Sequence, residues 1–123
     1  MDNKKISIRP ILNLASKGAN EGFQNRTLRP ILKLQHTTIL QVFELFSKKQ
    51  KTNVSSLTKD ELNNYISIIT KNNTVLRNQL LGLIIGHFTK EEFDVYRVND
   101  LKFNKRIINM IGQRINDSHN KNL

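Results

Sequence analysis

The stretch Thr74-Val75-Leu76-Arg77-Asn78-Gln79-Leu80-Leu81-Gly82-Leu83-Ile84-Ile85-Gly86-His87-Phe88 decides the fold. On a 3.6-residue wheel Leu76, Leu80, Leu81, Leu83, Ile84 and Ile85 fall almost all round. A helix that is apolar on every side is a buried one, so this segment is predicted to be the central element. Gly82 and Gly86 stand four apart on one face, where they are expected to let a neighbouring helix approach closely. The apolar run Leu80 to Gly86 is far below the roughly 18 residues that a spanning helix needs.

Working outward, the next signal on the C-terminal side is a capping box, Thr89-Lys90-Glu91-Glu92. It opens a short helix to about Val98, anchored by Phe93 and Tyr96. Asn99 or Asp100 then caps a last helix to about Asn116. Phe103, Ile107, Ile108, Met110, Ile111 and Ile115 make its apolar side, and Lys102, Lys105, Arg106, Asn109 and Gln113 its polar side. The tail 117–123 is polar and expected to fray.

On the N-terminal side a second capping box, Thr58-Lys59-Asp60-Glu61, starts a helix that ends near Lys71-Asn72-Asn73, with Leu62, Tyr65, Ile66 and Ile69 as its buried stripe. Before it, a long helix is predicted over Thr27 to Lys49, with Leu28, Ile31, Leu32, Ile39, Val42, Phe43 and Phe46 on one side. Pro30 fits only in an opening turn, which sets the start near Arg26–Thr27. Lys48, Lys49 and Lys51 close that helix where cations complement the carbonyl end of the dipole. Residues 1–22 read as a basic extended arm, with a short helix allowed from Pro10 to about Ser16. Ile8 to Leu14 repeats Leu28 to Leu34 at five of seven positions, a shared helix-start pattern and not a repeat architecture. No stretch alternates with period two. The reading is therefore an all-α, compact bundle of about five helices over residues 23–116, with a basic N-terminal extension.

Composition bounds the chemistry. One domain suits 123 residues. No cysteine is present, so disulfides, thiolate catalysis and Cys-type zinc sites are excluded, in keeping with a cytoplasmic protein. Met1 to Lys5 is charged and no apolar signal region follows it. His36, His87 and His119 lie on separate segments without a ligand spacing, so no metal or other cofactor is expected. Asp60, Glu61, Glu91 and Glu92 sit in first helical turns, where they answer the dipole, and no residue is nominated for catalysis. The expectation is a protein that is not an enzyme.

The organised signal is positive charge. Twenty Lys+Arg against ten Asp+Glu give a net charge of +10 and favour a polyanionic partner. Arg26, Arg29 and Lys33 are spaced to line one stripe of the first long helix. Lys102, Lys105 and Arg106 line the last helix, Lys48, Lys49 and Lys51 cluster at a helix end, and Lys4, Lys5, Arg9 and Lys17 lie in the arm. These thirteen residues are the candidate phosphate contacts.

The segments Phe23-Gln24-Asn25-Arg26-Thr27-Leu28-Arg29-Pro30, Leu83-Ile84-Ile85-Gly86-His87-Phe88-Thr89 and Asn104-Lys105-Arg106-Ile107 resemble a group of short bacterial proteins that often carry the automatic label "glyoxalase". The resemblance spans roughly residues 23 to 115. Glyoxalase-type metal enzymes use β-rich modules with His and Glu ligands, and this sequence offers neither. The resemblance also implies a lineage-restricted protein of the large ribosomal subunit, in which a small body and a basic arm contact ribosomal RNA and neighbouring ribosomal proteins. The leading expectation is an RNA-binding structural protein of the ribosome, with no membrane and no small-molecule substrate. A DNA-binding regulator is the first alternative, using Lys102, Lys105 and Arg106 of a recognition helix after a turn at Phe88-Thr89 or Val98-Asn99-Asp100. A helical protein-interaction module is the second, with Leu34, Leu40 and Leu45 as its contact.

Overall fold

The computed structural model describes residues 2–10 and 22–121. Seven α-helices stand among them and no strand: α1 (Asp2–Ser7), α2 (Arg29–Leu34), α3 (His36–Lys49), α4 (Lys59–Asn72), α5 (Thr74–Ile85), α6 (Lys90–Val98) and α7 (Asp100–Lys121). A π-helical turn, Gln24–Leu28, precedes α2, and a 3₁₀ turn, Val54–Ser56, precedes α4. The two helices beyond the expected five come from residues 2–7 and from division of the first long helix.

That division has a local cause. In α-helical register the Pro30 ring would meet the carbonyl of Arg26, and its missing N–H would leave that carbonyl without a donor. The chain widens to a π turn instead, in which the Arg29 N–H donates to Gln24 O. The helix therefore starts before Arg26, and Pro30 sits in the first turn of α2. Gln35 then breaks regularity at φ −93°, ψ 9° without breaking the rod. Its N–H donates to Ile31 O and its carbonyl accepts from Ile39 N–H, both at 2.9 Å.

The two capping boxes form as expected. Thr58 Oγ1 accepts from Glu61 N–H and Thr89 Oγ1 from Glu92 N–H, while each glutamate accepts from its N-cap N–H. Asn73 ends α4 and caps α5, its side chain accepting from Leu76 N–H at 3.0 Å. The C-terminus of α3 closes as a Schellman motif. Thr52 N–H donates to Ser47 O, Lys51 N–H donates to Lys48 O, and Lys51 takes the left-handed conformation at φ 57°.

The core draws on every long helix, with Leu28, Ile31, Ile39, Phe43, Ile66, Leu76, Leu80, Ile84, Ile107, Ile111 and Ile115 fully buried. Each such side chain contributes about 1.5–3 kcal/mol by leaving water. Centrality belongs to α7 and not to α5. α7 packs on α3, α4, α5 and α6, whereas α5 packs on α3, α4 and α7 and leaves Val75 and Gly82 exposed. The expected glycine contact is corrected with it. A Cβ on Gly82 would meet nothing within 4 Å, whereas one on Gly112 would touch Ile66 Cγ2 at 3.6 Å and Thr70 Oγ1 at 3.8 Å. The close approach is α7 against α4, at Gly112.

Both chain ends depart from expectation. α7 continues through the predicted tail to Lys121, because the His119 ring packs edge-on against Phe43 with centroids 5.2 Å apart. Residues 2–10 are not an extended arm. They fold back across the link between α5 and α6, where Lys5 Nζ donates to Phe88 O, Arg9 Nη2 donates to His87 O and Asp2 accepts from Lys90 N–H. Arg9 also forms a two-pronged pair with Glu92, at 2.7 Å on each oxygen. The short helix expected from Pro10 to Ser16 lies almost wholly outside the described residues, and Lys17 does too.

Candidate nucleic-acid interface

The polar strip of α7 forms the floor of a groove. Lys102, Lys105, Arg106, Asn109 and Gln113 recur every three or four residues, so all project along one side of the helix. Three cavities open along this strip. The first, about 640 Å³, lies between α7 and the α2–α3 rod and is lined by Arg29, His36, Arg106, Gln113, Arg114 and Asp117 among others. The second, about 410 Å³, lies against the π turn and is lined by Gln24, Leu28, Lys102, Phe103, Lys105, Arg106 and Asn109. The third, about 380 Å³, lies toward α4 and α5 and is lined by Lys71, Arg77, Leu101, Lys105, Ile108 and Asn109. Asn109 lines all three, so they join into one track.

Seven cationic side chains face this track against a single carboxylate, Asp117. The whole chain holds two cations per carboxylate, so the asymmetry is local. Two arginines are held by one nitrogen each. Arg29 Nε donates to Asn25 Oδ1 at 3.1 Å, and Arg106 Nε donates to Gln24 Oε1 at 2.8 Å. Fixing Nε orients the guanidinium plane and leaves its terminal nitrogens for a two-pronged contact with an oxyanion. Arg114 Nη1 lies 3.2 Å from His36 Nδ1. Burial and the neighbouring Arg29 charge both disfavour the charged Arg114 side chain, and Asp117 opposes them. An arginine keeps its charge in a protein, so Arg114 holds a partly buried positive charge beside that of Arg29.

Of the predicted contacts, Arg29, Lys102, Lys105 and Arg106 come together here. Arg26 and Lys33 are exposed but line none of the three cavities. Their steps of three and four residues assumed one α-helix, but Arg26 lies in the π turn, where its Nε donates to Gly22 O. Lys48, Lys49 and Lys51 lie at the far end of α3, about 18 Å along the axis from His36. Lys4 is exposed on α1. Lys5 is half-buried and donates to Phe88 O.

Arg9 is placed where phosphate contact is closed to it. Its side chain is 6% exposed and its guanidinium is taken up by Glu92 and the His87 carbonyl. Lys71, Arg77 and Arg114 were not among the predicted contacts. Arg114 stands eight residues beyond Arg106, about 80° round the helix from it, so the spacing of the α7 strip reaches Gln113 and not Arg114. Lys71 and Arg77 reach the track from other helices, and no spacing in the sequence signals that.

The remaining histidines are occupied elsewhere. His87 Nε2 lies 2.7 Å from Gln35 Nε2, and burial, with the charges of Arg9 and Lys5, holds its pKa below the ordinary histidine value. His119 Nδ1 lies 3.0 Å from Ile115 O. Among the described residues no group of three His, Cys, Asp or Glu side chains is placed to hold a metal ion, and no helix is long and apolar enough to cross a membrane. Of the leucines considered for a protein contact, Leu40 packs against the core and Leu45 is 55% exposed. Compared with known protein families, curated proteins and solved structures, the chain matches none.

Proposed function

We propose that this chain is an RNA-binding structural protein, a component of the large ribosomal subunit that holds folded RNA by its phosphates. The reading is one of binding and not of catalysis. What carries it is the charge of the track along α7, seven cations facing one carboxylate. Phosphate contacts supply most of the affinity of a basic protein for nucleic acid, and they do so without sequence preference. The DNA-regulator reading needs a recognition helix standing proud enough to enter a major groove. The α7 strip is flanked by the π turn and α2 on one side and by α4 and α5 on the other, which favours RNA over that alternative.

The direct test is binding of purified protein to a structured RNA across a salt series. The parent is expected to lose affinity steeply with salt. The variant R29A/R106A/R114A is expected to flatten that dependence by about one unit of log–log slope per arginine, whereas R26A/K33A changes it less. Equal losses in the two variants would remove the groove from the reading. The ribosomal assignment is tested by sedimenting native lysate through a sucrose gradient in low and moderate salt. Co-migration with large subunits that persists in moderate salt supports it, and recovery only at the top of the gradient overturns it.

A further inference from the structure

The largest of the three cavities differs from the other two in its cations. The second holds Lys102, Lys105 and Arg106 and the third Lys71, Lys105 and Arg77, so each carries two lysines and one arginine. In the first the cations are all arginines, Arg29, Arg106 and Arg114. A lysine is a point charge on a flexible stem, whereas a guanidinium is a planar fork that matches the oxygens of a phosphate. Each fork here is held at one nitrogen by a neighbour: Arg29 by Asn25 Oδ1, Arg106 by Gln24 Oε1 and Arg114 by His36 Nδ1. Arginine only donates, so His36 Nδ1 accepts and the ring is the uncharged tautomer with its proton on Nε2. Three guanidinium charges and the Asp117 carboxylate therefore leave the lining at +2. Asp117 accepts from Gln113 Nε2 at 2.9 Å. Among the described residues the ion pairs are Arg9–Glu92 and Arg97–Asp94, so no carboxylate pairs with these arginines. Arg29 and Arg114 are half-buried, and the Arg29 charge acts against that of Arg114. Two half-buried like charges held together without a carboxylate partner form an arrangement that functional sites favour.

We infer that this cavity is a discrete site for a phosphate dianion, free phosphate or the phosphate monoester of a larger molecule, gripped by Arg29 and Arg114 with Arg106 at its rim. The inference deepens the phosphate-binding reading above and rests on it for taking this groove as the binding face. A monoester carries about −1.5 to −2 charges at neutral pH and three acceptor oxygens. That answers a lining of +2. A backbone phosphodiester carries a single charge and answers half of it. Helix α7 advances about 12 Å from Arg106 to Arg114, so Arg106 meets the outer part of the ligand and Arg114 the inner part. The cavity, about 640 Å³, has the size of a small-molecule site and leaves space for the group to which the phosphate is attached.

The test uses the full chain at constant ionic strength, slightly above neutral pH where phosphate is mostly dianionic. Isothermal titration calorimetry compares inorganic phosphate with dimethyl phosphate, a diester of single charge. Phosphate is expected to bind saturably and at least about tenfold tighter than the diester. R114K keeps the charge and loses the fork, and it is expected to weaken phosphate binding about tenfold or more. R29K makes the same change from the other wall, so the site stays testable if one variant fails a thermal melt. K48A/K49A, at the far end of α3, is expected to leave phosphate binding unchanged. An RNA strand with a terminal phosphate and the same strand with a terminal hydroxyl identify the source. Tighter binding of the phosphorylated strand, by about tenfold, would support the site with a strand end as its ligand. Equal binding of the two strands, with saturable phosphate binding intact, would support it with a small phosphorylated molecule. No saturable phosphate binding, phosphate bound no tighter than the diester, or affinity unchanged in both R114K and R29K would overturn the site. Salt-sensitive RNA binding that persists in those cases leaves the nucleic-acid reading standing. Loss of RNA binding with phosphate binding intact removes that reading and leaves this site.

Discussion

Glu92→Gln isolates one charge at the most connected polar residue in the structure. The Glu92 carboxylate accepts from Arg9 Nη1 and Nη2 at 2.7 Å, from Thr27 Oγ1 at 2.9 Å and from Thr89 N–H at 2.9 Å. Glutamine keeps the size and still serves in a capping box, so the helix start survives. What is lost is the partner of the Arg9 guanidinium, which is 6% exposed opposite a carboxylate that is 16% exposed. Removing one member of a buried pair costs about 3–5 kcal/mol, because the other charge stays desolvated. The partial exposure of Glu92 puts this case at the low end, about 3 kcal/mol. For a domain of this size that is roughly 10–15 °C in Tm.

Chemical and thermal unfolding followed by far-UV circular dichroism measure the cost. The double variant R9M/E92Q removes both charges, keeps a side-chain oxygen for Thr27 and for the capping box, and is expected to recover part of the loss, since no desolvated charge is left. A cost below about 1 kcal/mol for E92Q, or a double variant as unstable as the single, would refute the claim that this pair anchors the N-terminal segment. The same pair sets an acid limit. Burial raises the Glu92 carboxyl, but hydrogen bonds from Arg9, Thr89 and Thr27, with the Arg9 charge, outweigh it and hold the carboxyl below its ordinary value of 4.5. A depressed carboxylate stabilises the fold above its unfolded pKa and loses that contribution as pH falls through the folded one. The stability gap between parent and E92Q is therefore expected to be full at neutral pH and to narrow below pH 4.5.

Two further predictions concern the backbone. Gly82 is exposed within α5 and a Cβ there meets nothing within 4 Å, so G82A is expected to raise stability by about 0.5–1 kcal/mol, read from a urea midpoint at unchanged slope. A loss of stability would mean that a neighbouring helix does approach that face. Lys51 holds a left-handed conformation at φ 57° in the α3 C-cap, a position suited to glycine. K51G is expected to raise Tm by about 2–4 °C, and a lowered Tm would count against the Schellman closure.

Much of the fold was legible because its signals are local. A capping box acts within four residues, and both of those in the sequence, Thr58 to Glu61 and Thr89 to Glu92, start helices where the pattern places them. The apolar stripes of α3, α4 and α7 became the buried faces, since a helix with one apolar side has one way to leave water. The site was legible to the extent that it lies on one helix. Lys102, Lys105 and Arg106 share a face through i, i+3 and i+4 spacing alone.

What the sequence by itself determined, then, is the helical class, the helix starts and the positive charge, each set by neighbours along the chain or by composition. Tertiary structure decided the rest. Arg29 came to line a cavity against α7, while Arg26 turned to Gly22 O and lines none of the three. Arg9, legible only as a basic residue in a polar stretch, found its carboxylate 83 residues away and became buried. Lys71, Arg77 and Arg114 were scattered charges until α7 packed against α4, α5 and the α2–α3 rod and set them along one groove. The physical reason is the same in each case: helix periodicity acts over a few residues, whereas the pairing of charges is settled by which surfaces the core brings together.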